Sequence, residues 1–194
     1  MTHATHLTVN EAAELSGVSA RTIEKAAEEG VVTKTMIRGG LRAVPAAHVP
    51  VHVVAYASVL KHVRGFRMDL ATKKRLFRCI SGFGEDLGSF EPTPGVRLDV
   101  DALAASEWTR ARRYVAARSE HLESREDILG GEPVIKGTRI TCRSVLGRIE
   151  SGDTFDDLCE DYGGLPRAAF EAAATYARAH PPRGRPAKGK PWRA

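Results

Sequence analysis

Apolar positions in the first part of the chain recur at helical spacing and are broken by glycines where helices should end. Leu7 and Val9 lead into Ala12, Ala13 and Leu15, the buried side of a first helix. Thr8 is placed to cap that helix and Glu11, three residues on, to complete a capping box. Gly17 supplies a turn, Ser19 caps a second helix with Val18 and Ile23 toward the core, and Gly30 ends it. Residues 31–42 read as a two-stranded ribbon turning at Gly39-Gly40. A third helix is expected from about Val49 through Val53, Val54, Ala57, Leu60 and Val63.

Further along, the pattern predicts an amphipathic helix over 69–80 with Lys73, Lys74, Arg75 and Arg78 on its wet side. Val96, Leu98 and Val100 alternate like a short strand, set off by a Pro/Gly-rich separator at 91–95. Asp101 is expected to cap a long helix through Leu103, Trp108, Ala111, Val115 and Leu122. In the last third, Val134-Ile135 and Arg139-Ile140 flank a turn at Lys136-Gly137-Thr138, and helices follow at about 142–150, 155–162 and 166–179. Thr154 caps the second of these with Asp157 three residues on, and Pro166 falls in the first turn of the third. The expectation is a mainly α protein with short β-hairpins. It divides into 1–63, a helical linker region over 64–126, a three-helix module over 127–181 and a tail over 182–194.

Charge changes the picture at that tail. The chain has 29 basic and 24 acidic residues, and Arg183, Arg185, Lys188, Lys190 and Arg193 account for the whole surplus of five. A cationic segment rich in proline and glycine behind a neutral body is suited to ordering on an anionic partner. No apolar run reaches the ~20 residues of a membrane span. Met1-Thr2-His3 lacks the basic and apolar regions of an export signal, so a cytoplasmic protein is expected. Cys79, Cys142 and Cys159 form no Cys-x-x-Cys pair and are expected as free thiols. His48 and His52 stand four apart but have Pro50 between them and no third ligand nearby, so neither metal nor cofactor is expected. No nucleophile elbow or phosphate loop occurs, and a non-enzyme is expected.

The run Leu7-Thr8-Val9-x-Glu11-Ala12-Ala13-x-Leu15-Ser16-Gly17-Val18-Ser19-x-x-Thr22-Ile23, with Gly39-Gly40-Leu41-Arg42, resembles the winged helix-turn-helix of the MerR-like group. Ile128-Leu129-Gly130-Gly131-Glu132-Pro133-Val134-Ile135-Lys136-Gly137-Thr138-Arg139-Ile140, with Ser151-Gly152-Asp153, Asp161-Tyr162 and Tyr176-Ala177, is similar to the DUF433 family signature. Gly163-Gly164-Leu165 departs from that family, which more often has proline after the tyrosine. The second resemblance implies a helix-turn-helix-like three-helix module and an antitoxin of a type II toxin–antitoxin pair, beside a PIN-like ribonuclease toxin.

These readings assign residues to partners. A helix-turn-helix places its second helix in the major groove, so Ser19, Arg21, Thr22 and Lys25 would face operator DNA and Lys34, Arg38 and Arg42 on the ribbon would hold phosphates. Glu24, Glu28 and Glu29 weaken the field of the same helix. Asp156, Asp157, Glu160 and Asp161 disfavour nucleic acid at the third module, making it an assembly surface. There Val134, Ile135, Gly137, Thr138, Arg139 and Ile140 would pair with a second copy, the alternative being an internal hairpin. Arg183, Arg185, Lys188, Lys190, Trp192 and Arg193 would enter the carboxylate-lined site of the toxin. The rival reading is that Arg183-Gly184-Arg185-Pro186 is similar to an AT-hook core and reads the minor groove, in a transcription regulator without a toxin.

Overall fold

The structure, a computed structural model, describes residues 5–37, 41, 45–63, 65 and 67–181. Among these the protein is mainly α, with eight helices and small antiparallel sheets. The chain opens with β1 (His6–Thr8), α1 (Val9–Ser16) and α2 (Ala20–Glu28). The capping box forms as expected: the Glu11 amide donates to Thr8 Oγ1 at 3.2 Å and the Thr8 amide donates to Glu11 Oε2 at 2.7 Å. Gly17 takes the left-handed conformation (φ 65°) that lets the chain turn at the end of α1.

After α2 come β2 (Thr35–Ile37), β3 (Ala46–Pro50) and α3 (Val53–His62). The three strands form one antiparallel sheet in the order β1-β3-β2, with Leu7 opposite Val49 and Thr35 opposite His48. This corrects two expectations. Val31 and Val32 are core residues rather than strand, and the second strand of the ribbon lies beyond Arg42. Val49 and Pro50 belong to that strand, so the third helix begins four residues later than expected. Hence His48 and His52 do not share a helix face: His48 sits in the sheet, while the His52 ring packs 5.1 Å from Trp108.

The middle of the chain forms α4 (Leu70–Ser81), β4 (Ser89–Thr93), β5 (Val96–Asp99) and α5 (Val100–His121). The expected separator at 91–95 is instead mostly strand, in a two-stranded hairpin where proline is tolerated because each strand has a free edge. The cap of α5 is Asp99, not Asp101; its carboxylate accepts from the Ala102 amide at 3.0 Å. Starting there places Val100 inside the helix and fully buried.

α5 is the central element, packed against α3, α1 and α8 (Arg167–Ala179). Val100, Ala104, Trp108, Ala111 and Val115 supply its buried stripe. The last third adds β6 (Leu122–Glu123), β7 (Val134–Ile135), α6 (Cys142–Glu150) and α7 (Phe155–Asp161) before α8. Pro166 is the cap of α8 and not its first helical residue. A single apolar cluster runs from Leu7 and Val54 through Ala111 to Val145 and Phe170. Among the described residues no helix is long and apolar enough to cross a membrane. The three cysteines are free thiols, and burial pushes Cys142 up to about 12.

Candidate nucleic-acid interface

The amphipathic pattern of α2 decides what that helix can present. Ile23 and Ala26 turn inward, while Ser19, Arg21, Thr22 and Lys25 are exposed along one side. Ser19 caps the helix by accepting from the Thr22 amide at 3.3 Å, and the two hydroxyls lie 3.0 Å apart. Arg21 donates to Glu28 at 2.7 Å and lies 3.9 Å from Glu24; Lys25 reaches Glu29 at 3.8 Å. The hydrogen bond and charge of Glu28 raise the Arg21 guanidinium, and Arg21 holds Glu28 below the usual carboxylate range. Both partners are exposed, so water and salt screen the pair and an incoming phosphate can replace Glu28 at little cost.

Further cations stand at the two ends of α2. Lys34 is exposed just before β2; Arg38 and Arg42 lie outside the described residues. Lys61 of α3 joins them without any mark in the sequence: a side-chain carbon added at Gly17 would meet its Nζ at 3.1 Å, so its ammonium lies over the turn between α1 and α2. No local signal points to it, because that closeness arises from the packing of α1 on α3. Pro181 lies beside this turn as well, lining a shallow hollow with Asn10, Glu14, Gly17 and Val18. The tail residues Arg183, Arg185, Lys188, Lys190, Trp192 and Arg193 fall outside the described residues.

A buried polar cluster fixes the helix pair to the rest of the fold. Glu11, 1% exposed, accepts from the Tyr114 hydroxyl at 2.5 Å and from Arg118 Nη1 at 2.8 Å, besides its bond from the Thr8 amide. Arg118 also donates to the His6 carbonyl at 2.7 Å and covers the Tyr114 ring. His180 stacks on Tyr176 and lies 3.3 Å from the Thr8 hydroxyl. Burial pushes the Glu11 carboxyl up, but Arg118, His180, the Tyr114 hydroxyl and the Thr8 amide outweigh it, so its pKa is lowered. Burial, together with Glu11, raises the Tyr114 phenol well above its ordinary value. The sequence marks Glu11 only as a capping residue; Tyr114 and Arg118 are more than a hundred positions away.

In the last third the structure replaces the expected pairing with a second copy at 134–135 by an internal hairpin. Leu122 and Glu123 pair with Ile135 and Val134 on one side, and Thr141 bridges Val134 on the other. Val134 and Ile135 are buried within the protomer, so that strand leaves no edge for another chain. Gly137 makes the turn with φ 75°, the Thr138 hydroxyl donates to the Ile135 carbonyl at 2.8 Å, Arg139 is exposed and Ile140 half-buried. The acidic helix α7 is largely neutralised in place. Asp157 closes a capping box with Thr154, Asp156 pairs with Arg167 at 2.5 Å, and Asp161 pairs with Arg148 at 2.6 Å. Among the described residues no cluster of three or more His, Cys, Asp or Glu could hold a metal ion.

An uncharacterized protein, y4eO of Sinorhizobium fredii, is 37% identical over 71 residues, which cover 37% of this chain. The match spans 32% of that relative, about a third of its length. The crystal structure of Rv2018 from Mycobacterium tuberculosis is similar at 20% identity and a TM-score of 0.38, over 86% of this chain and 96% of that one. Residues 123–177, from β6 through most of α8, match a family model described as a protein of unknown function, DUF433.

Proposed function

We propose that this protein is a cytoplasmic DNA-binding antitoxin that represses its own operon and neutralises a PIN-like ribonuclease. In this reading β1, α1, α2, β2 and β3 are a winged helix-turn-helix, with α2 entering the major groove and Lys34 on the backbone. The single observation that supports it most is the outward side of α2. Ser19, Arg21, Thr22 and Lys25 project from a rigid, doubly capped helix pair, and the cluster around Glu11 holds that pair against the core. Arginine can contact guanine through two donors, while the hydroxyls and lysines hold phosphate. The toxin rests on the resemblance of 128–140 to DUF433 antitoxins and on the basic tail. No residue is assigned a catalytic role.

One observation favours the second reading, a regulator whose tail follows DNA. Pro181 lies beside Gly17 and Val18, just before α2, so a tail that begins there starts at the DNA-facing end of the helix pair. Two variants test these readings. Arg21→Ala should weaken binding to DNA upstream of the gene about tenfold in fluorescence anisotropy, the size of a lost base contact; unchanged affinity refutes the interface. Truncation after Pro182 should abolish neutralisation of the toxin encoded by the adjacent gene and leave promoter affinity intact. Lost promoter affinity with a flatter salt dependence assigns the tail to DNA instead.

A further inference from the structure

The face of α5 that points away from the core has no partner within the described chain, and it borders a groove of about 800 Å³ between α5 and α8. Its walls include the small side chains Ala116 and Ala117 on α5 and Ala168 and Ala172 on α8. Arg110, Arg113 and Glu120 line it from α5. Arg113 is exposed and makes no ion pair among the described residues, and Glu120 approaches only His121, at 3.8 Å. The neighbouring charges are already engaged: Glu171 pairs with Arg167 at 2.8 Å and Arg110 donates to the Leu15 carbonyl.

We propose that this groove is where a second copy of the chain docks, through antiparallel packing of α5 on α5 about a two-fold axis at Ala116–Ala117. The spacing is what selects a second copy over another partner. Arg113 and Glu120 are seven residues apart, two helical turns or about 10 Å along one face. A two-fold axis midway between them sets each Arg113 against the other copy's Glu120, so two ion pairs form across the axis. The same axis puts Ala116 opposite Ala117, and side chains that small let helices approach to about 8 Å. A polyanion would be repelled by Glu120 and a polycation by Arg113. The two protomers would then bury their α5–α8 walls together as a four-helix layer.

Sedimentation equilibrium of the full chain across a hundredfold concentration range tests this. The wild-type protein should dimerise, and Arg113→Glu or Glu120→Arg alone should weaken the dimer about tenfold or more, since each places two like-charged pairs across the axis. Mixing the two single variants should restore association, because each pair across the axis then joins an acid in one chain to a base in the other. Circular dichroism of each variant should match the wild type, all the substituted positions being exposed. A wild-type chain that stays monomeric overturns the proposal. So do single variants that dimerise like the wild type, or a mixture that fails to associate.

Discussion

Replacing Glu11 by alanine removes the acid at the centre of the buried cluster and takes an acceptor from three groups. The Thr8 amide loses its 2.7 Å bond, the Tyr114 hydroxyl loses its acceptor, and Arg118, whose side chain is only 11% exposed, keeps its charge without the opposing carboxylate. Breaking a buried ion pair from one side costs about 3–5 kcal/mol, because the remaining charge stays desolvated. That is a large share of the ~5–15 kcal/mol that separates folded from unfolded domains. For a chain of this size each kcal/mol moves the midpoint by about 2–4 °C, so Glu11→Ala should lower Tm by about 6–20 °C. Urea unfolding followed by circular dichroism measures the loss, with Glu14→Ala, an exposed acid on the same helix, as the control expected within about 0.5 kcal/mol. Glu11→Gln with Arg118→Met should lose less than the two single changes together, with a coupling of about 1–3 kcal/mol. Equal losses from Glu11→Ala and Glu14→Ala would refute the cluster as the tie between the helix pair and α5.

Two further outcomes follow from the same region. The carboxyl of Glu11 has its pKa lowered on folding, so the unfolded chain binds its proton first as pH falls. Its contribution is therefore complete above about pH 4.3, the ordinary value, and is lost as pH drops through the folded value. Stability measured against pH should show that acid loss in the wild type and lack it in Glu11→Gln; parallel curves would contradict the assignment. Gly17→Ala should destabilise by about 1 kcal/mol in urea unfolding, because φ 65° is strained for alanine and the added carbon meets Lys61 Nζ at 3.1 Å. An unchanged midpoint would show that the turn relaxes freely.

Local chemistry makes most of the caps readable in advance, Asp99 in place of Asp101 being the exception, and distance in sequence hides much of the rest. Thr8 with Glu11, Ser19, and Thr154 with Asp157 cap the helices expected of them, because a cap is decided within four residues. The ribbon departs from expectation for the opposite reason. Gly39-Gly40 lies outside the described residues, and the second strand comes later than expected: β3 pairs with β2 on one side and, on the other, with β1 from about forty residues upstream. Residues 91–95 carry two prolines and a glycine, which read as a break, whereas the hairpin accepts Pro92 on an open edge with its carbonyl receiving Arg75 at 3.3 Å.

The candidate interface divides along the same line. The exposed side of α2 is periodic and legible, but nothing near Glu11 announces Tyr114 or Arg118, and nothing near Gly17 announces Lys61. On α5 itself, Tyr114 and Arg118 are one turn apart and both turn toward Glu11, while Arg113 and Glu120 share the outer rim. A helix with polar positions on two faces reads from sequence as a solvated linker. Its inner polar face is instead matched by an acid on α1, which lets this helix sit at the centre of the fold. If the outer face is matched by its own copy, the same reasoning accounts for both sides of α5, and the placement of the α1–α2 pair is set from this one helix.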